Sequence, residues 1–338
     1  MDLNLLWFVL LGALLAGYAV LDGFDLGVGI LHLTARTDTE RRLRINSIGP
    51  LWDGNEVWLI TFGGAMFAAF PAAYATVFSG FYTAFMLLLL ALIFRAVSIE
   101  FRSKRDAPSW RRLWDGSFSG ASLLATFLFG CAAGNVQIGI PVDAAGVFTG
   151  SFLSLLRPYP VLAGVLAVAV ALTHGALYLN LKMEGEPQLR VRRWIWRGYG
   201  LSLACLLAAA LALQAARPQA ARNFAGRPWA WAVVALLALA LANIPRAVRR
   251  SRPLVAFLCS SAAIAALVFL FAFSLFPNLV ISSISPEYNL TMVNAASSPK
   301  TLGIMAVIAL VGMPLVIAYT AVVYWVFRGK TRLTEHSY

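Results

Sequence analysis

Charge is scarce in this chain. Of 338 residues only 12% are Asp, Glu, Lys or Arg, about half the usual share of a soluble domain. That poverty excludes a large solvated surface. Three cysteines, Cys131, Cys205 and Cys259, lie in or near apolar runs without CxxC spacing. They exclude a zinc knuckle and a disulfide framework. Three histidines, His32, His174 and His336, are too few and too scattered for a paired-histidine metal or haem site. Only His174 falls well inside an apolar run, and a lone histidine there is read as a helix–helix hydrogen bond; a His plus Met haem site stays open, although nothing pairs the seven methionines with it by spacing. No GxxxxGK[ST] run exists, which excludes P-loop phosphate chemistry, and nothing supports a hydrolase triad. No basic segment precedes the first apolar run. That run reads as a retained helix and not a cleaved leader.

What is present is apolar: 60% of the residues. A spanning helix needs about 20 apolar residues. That ruler predicts an all-α polytopic membrane protein of nine helices, at 4–33, 55–72, 76–98, 117–135, 160–180, 199–215, 229–244, 254–276 and 303–327. The whole chain, 1–338, reads as one integral membrane domain. The net charge of +12 comes from basic residues between the spans, so it reads as a topology signal and not as a nucleic-acid footprint. Twenty-one lysines and arginines fall in the segments after helices 1, 3, 5 and 7 and in the tail. Five fall on the other side, and Arg95 sits at a helix end. The positive-inside rule then places the N-terminus outside and the C-terminus in the cytoplasm.

Two polar knots interrupt the apolar runs. One is Asp22-Gly23-Phe24-Asp25, deep in the first helix. The other is Trp52-Asp53-Gly54-Asn55-Glu56-Val57-Trp58, at the mouth of the second. A carboxylate at the centre of a bilayer costs about 2.5–3.5 kcal/mol on insertion scales, so it is usually functional. With Arg95 and Glu100 these acids fall in the cytoplasmic half. Two readings stand: a proton or ion entrance, and an ion-pair cluster in which Arg95 neutralises an aspartate. Glu100 and Lys104 are four apart and would share a helix face; by themselves they read as part of a solvated basic loop. That loop, with Arg102, Arg105, Arg111 and Arg112, could bind anionic lipid head groups. Gly12, Gly17, Gly27, Gly29, Gly63, Gly64, Gly130 and Gly134 are the small residues that allow close helix packing in lipid. The segments 136–159 and 277–302 read as outer caps or re-entrant turns. Two function classes remain at this point: a proton-coupled transporter, and a subunit of a redox complex that guides protons to a partner's cofactor.

The motifs resemble subunit II of the cytochrome bd family of quinol oxidases. They are Leu21-Asp22-Gly23-Phe24-Asp25-Leu26-Gly27-Val28-Gly29, Ile45-Asn46-Ser47-Ile48-Gly49-Pro50, Trp52 to Thr61, and Gly63 to Pro71. Phe78 to Tyr82, Phe94-Arg95, Phe101 to Lys104, Phe276-Pro277 and Asn289-Leu290-Thr291 follow. The resemblance covers essentially the whole chain and is strongest in its first third.

It implies two four-helix bundles plus one peripheral helix in a bacterial plasma (inner) membrane. It implies a heterodimer with a subunit I that holds haem b and haem d, with small single-helix subunits in some members. Such a complex oxidises quinol, reduces oxygen to water and takes its protons from the cytoplasm, so it is electrogenic without pumping. Asp53 matches an interfacial acid on the family's proton path, and Trp52 matches its aromatic neighbour. Glu100 and Lys104 match a polar pair near the entrance of that path. Asp22, Asp25, Glu56, Asn55, Trp58 and Arg95 occupy the surrounding motif positions, as path or interface residues. Some members carry a structural quinone in subunit II; no local motif marks one here. The short 216–228 segment is in keeping with the cyanide-insensitive branch.

Overall fold

The computed structural model describes residues 2–333. The chain runs α1 (Leu3–Leu31), α2 (Asp38–Ile48), α3 (Trp52–Ala69), α4 (Pro71–Gly80), α5 (Tyr82–Phe101), α6 (Pro108–Ile138), α7 (Pro158–Lys182) and α8 (Gly185–Ala216). It continues through α9 (Arg222–Ala225), α10 (Ala230–Arg249), α11 (Pro253–Leu275), β1 (Asn278–Val280), β2 (Leu290–Thr291) and α12 (Pro299–Val326). Among the described residues eight helices are long and apolar enough to cross a membrane. The 18-residue α3 is not among them, because Asp53, Asn55 and Glu56 dilute its apolar content.

Helix starts follow local chemistry. Asp2 caps α1 through the Asn4 amide, at 2.9 Å. Thr37 caps α2 through the Glu40 amide, at 3.2 Å. Proline opens α4, α6, α7, α11 and α12, where its missing N–H is no loss.

Several expected boundaries are corrected. The second and third expected spans end and begin elsewhere, because α3 stops at Ala69 and the separate helix α4 precedes α5. Pro71 explains the break: it disfavours helical backbone at the preceding residue, and Phe70 sits at φ −135°, ψ 64°. The expected 199–215 helix begins instead at Gly185. Arginines suit a helix well, so the basic stretch continues it; only its apolar half was visible as a span. In the same way α6 begins at Pro108 and α10 runs through Pro245 to Arg249.

α7 lies at the centre and packs against α1, α6, α8 and α11. Glycines set the closest approaches. A Cβ added at Gly27 would come within 1.9 Å of the Ala171 carbonyl oxygen, and one at Gly175 within 2.4 Å of the Gly27 carbonyl carbon. Gly130 and Gly134 meet Ala163, Gly164 and Pro160 in the same way. Gly63 and Gly64, also expected at helix contacts, face open space.

At the α1 N-terminal end, β1 and β2 pair antiparallel, Asn278 opposite Thr291. The segment closes over that end through Ile140 N–H to the Ile281 carbonyl (3.0 Å), Ser297 N–H to Ala69 (2.9 Å) and the Trp7 indole to Leu302 (3.0 Å). The five basic segments gather at the opposite end. Arg44 reaches the Leu31 carbonyl, Arg102 reaches Asp38, Arg190 reaches Glu40, Arg192 reaches Val248, and Lys330 reaches Met183.

Candidate functional site

Asp22 and Asp25 are three apart on α1 and therefore share a face. Both are fully buried, as is Arg95 of α5. Arg95 donates to Asp22 Oδ1 at 2.7 Å and also pairs with Glu56 of α3. One guanidinium thus holds two carboxylates from two other helices. Asp25 has an amide as its hydrogen-bond partner: Asn55 Nδ2 donates to Asp25 Oδ2 at 2.6 Å and to the Leu21 carbonyl at 3.2 Å. Asn55 Oδ1 in turn accepts from the Tyr324 hydroxyl of α12, at 3.0 Å. The α1, α3, α5 and α12 helices are therefore joined by one polar cluster. Asp22 Oδ2 and Asp25 Oδ1 are buried without a hydrogen bond among the described residues. Such a set can hold charge in a low-dielectric interior and can share a proton among carboxylates, hydroxyl and water.

The other expected residues stand apart from it. Asp53, Glu100 and Lys104 are exposed. α5 ends at Phe101 and Lys104 stands on a 3-10 turn, so the α-helical spacing assumed for Glu100 and Lys104 is not kept. Asp53 belongs to an exposed stripe of α3 with Gly54, Val57, Thr61, Gly64 and Phe67. Trp52 packs on the central core. Trp58 lies so close over Gly17 that a Cβ there would fall 2.4 Å from the indole.

A second cluster, at the α1 C-terminal end, was not anticipated. Asp115 of α6 is buried and binds three partners: His32 Nε2 at 2.5 Å, Arg102 Nε at 2.6 Å and Arg41 at 2.8 Å. Arg102 continues to Asp38 at 2.6 Å. Beside it, Glu40 holds Arg44 at 2.9 Å and Arg190 at 3.3 Å. Burial alone would raise the Glu40 carboxyl, but the Arg36 N–H and the Arg44 guanidinium outweigh it and hold it below its ordinary value. The available signal was Thr37 followed three residues later by Glu40, a capping pattern that places Asp38 and Glu40 on a short helix among the arginines.

His174 lies between helices. Its Nδ1 meets Ser260 Oγ at 2.7 Å and its Nε2 donates to the Val20 carbonyl at 3.0 Å. His32 is enclosed by Asp115 and the edge of the Phe118 ring. His336 lies outside the described residues. Both His174 nitrogens and His32 Nε2 are thus already engaged by protein atoms.

Known proteins resemble this chain over its full length. The family profile described as cytochrome bd terminal oxidase subunit II matches residues 3–327. Cytochrome bd-I ubiquinol oxidase subunit 2 of Escherichia coli (strain K12) is 38% identical, covering 97% of this chain and 95% of that protein. Cytochrome bd ubiquinol oxidase subunit 2 of Bacillus subtilis (strain 168) is 36% identical, covering 99% and 98%. A chain in the structure of bd oxidase from Geobacillus thermodenitrificans shares the fold, with a TM-score of 0.80 over 97% of this chain and 99% of that one, at 18% identity.

Proposed function

Because this chain belongs to the cytochrome bd terminal oxidase subunit II family, we propose that it completes a quinol:oxygen oxidoreductase by stabilising subunit I and carrying cytoplasmic protons toward it. It is a multi-pass protein of the bacterial inner membrane and a component of the respiratory chain. In this reading the nine long helices form two bundles, α1, α3, α5, α6 and α7, α8, α10, α11, with α12 peripheral. The end that gathers the basic segments faces the cytoplasm.

The observation that carries the proton role is the buried cluster Asp22–Arg95–Glu56 with Asp25–Asn55–Tyr324. It reaches from the interior of α1 to the first turn of α3, where Asp53 stands on the exposed stripe. Gly54 and Gly64 make that stripe shallow, which suits close approach of a partner helix. Subunit I docked there would enclose Asp53 and extend the acidic series toward its own haems. Protons would enter from the basic end, past Glu100 and Lys104.

The chain itself holds no haem in this reading. The support is that both His174 nitrogens are engaged by Ser260 and Val20. Haem b and haem d, with the quinol site, then belong to subunit I.

The test is to tag this chain, express it with its native neighbours, purify it, and record the reduced-minus-oxidised absorption spectrum and oxygen uptake with quinol. A b-type haem signal and quinol-dependent oxygen uptake in the co-purified complex are expected. A clean haem-free preparation would overturn the oxidase reading in favour of a proton-coupled transporter.

A further inference from the structure

Arginines at the basic end of the molecule fall into two groups. In the α1–α6 half they are matched: Arg41 and Arg102 by Asp115, Arg44 by Glu40, Arg111 by Asp38 and Asp106. In the other half Arg190 is matched by Glu40 and Glu186, but beyond it the basic end carries Arg192, Arg193, Arg197, Arg246, Arg249, Arg250 and Arg252, and the sequence from 191 to 286 has no Asp or Glu.

Three of these arginines converge. Arg246, Arg250 and Arg252, with Asn243, line a cavity of about 150 Å³ at the turn between α10 and α11. Among the described residues none of the three has a carboxylate partner. The turn is braced. Ser251 adopts φ 52°, and Arg192 of α8 donates to the Val248 carbonyl at 2.8 Å and to Ser251 Oγ at 3.4 Å. The Arg252 N–H closes the turn onto the Ala247 carbonyl, at 2.9 Å. Beside the cavity Arg249 lies over the ring of Trp196, 5.4 Å from its centre. Exposed indoles at this level mark the water–lipid boundary. Val255 completes the lining from the apolar side.

We propose that this corner binds the phosphate-bearing head group of an anionic phospholipid, its acyl chains lying along α10 and α11. Guanidinium groups match phosphate oxygens in geometry and charge. Basic pockets between membrane helices select such head groups. The site is distinct from the Arg102–Arg112 loop, where Arg102 and Arg111 are already bound to aspartates.

The experiment uses the complex purified with subunit I, stripped with detergent and then offered phosphatidylglycerol or phosphatidylcholine. Bound lipid is counted by native mass spectrometry. Each charge removed should weaken retention about fivefold, so Arg250→Gln with Arg252→Gln should retain phosphatidylglycerol about 25-fold less. Arg250→Lys with Arg252→Lys should keep most of it, and Arg222→Gln, near the opposite end, should change nothing. Undiminished retention in the glutamine pair would overturn the proposal, as would equal retention of phosphatidylcholine. Displacement of the lipid by an equal concentration of inorganic phosphate would overturn the lipid as the source of the anion.

Discussion

Arg95 Nη2 meets Asp22 Oδ1 at 2.7 Å with both side chains fully buried, and the same guanidinium also holds Glu56. Breaking a buried ion pair by removing one partner leaves the other charge uncompensated, at about 3–5 kcal/mol. Here one substitution strands two acids. Arg95→Gln should therefore destabilise the α1–α3–α5 junction by at least that amount, whereas Arg95→Lys should recover part of it. Thermal inactivation of the purified complex, with haem content per tagged chain, measures the effect. Wild-type stability in Arg95→Gln would show that the triad contributes nothing to holding the helices.

The α1–α7 crossing makes a different prediction, one of shape and not of charge. Gly27 and Gly175 face each other so closely that neither tolerates a Cβ without backbone movement. Overpacking costs about 1–3 kcal/mol, and a backbone clash at 1.9 Å belongs at the upper end. Gly27→Ala should lower the melting temperature and the yield of complex. Gly64→Ala, with nothing within 4 Å of its Cβ in the isolated chain, should leave the fold intact and act on subunit docking alone. Equal loss of chain in both variants would contradict this division.

Eight of the nine expected spans were legible in the sequence because their apolar runs are long enough to speak for themselves; α3, diluted by Asp53, Asn55 and Glu56, is not among the helices apolar enough to cross. The ends of the spans were not legible, because helix and span are different things. α8 keeps its backbone hydrogen bonds through Arg190, Arg192, Arg193 and Arg197, all of which suit a helix and not a bilayer. The buried acids Asp22 and Asp25 announced themselves by standing in an apolar run. Asp115 did not, because it sits seven residues into α6 among Trp, Arg and Ser; its three partners come from the turn after α1, from α2 and from the turn after α5. Only the relative rotation of those helices brings them together. Tyr324 was equally hidden, 269 residues from Asn55 in sequence.

Glu40 supplies a pH dependence. Its folded carboxyl lies below the ordinary value of 4.5 because Arg44 and the Arg36 N–H stabilise the ionised form more than burial penalises it. A carboxyl depressed in the folded state adds stability that is fully present above its unfolded value and is lost as pH falls through the folded one. The contribution should be constant from pH 7 to about 5 and should disappear below 4.5. Glu40→Gln should be less stable than wild type at pH 7, and the gap should narrow as pH falls below 4.5. Melting curves of the purified complex across that range decide it; a gap that widens on acidification would reverse the sign.

Asp25 and Asp53 should separate proton delivery from assembly. Asp25 is buried, with Asn55 as its hydrogen-bond partner, so Asp25→Asn keeps the shape and the amide contact while removing the proton carrier. A positioned acid or base contributes about 10²–10⁴-fold to rate, so turnover should fall by about two orders of magnitude with haem content unchanged. Asp53 stands on the exposed stripe of α3 and acquires a buried environment only from a partner. Asp53→Ala should lower oxygen reduction or haem retention while leaving membrane insertion intact. Asp53→Asn, which keeps size and hydrogen bonding, should restore haem retention but not turnover if the acid carries protons. Restoration of both would make Asp53 a docking residue. Full activity with a normal spectrum in Asp53→Ala would remove it from the path altogether.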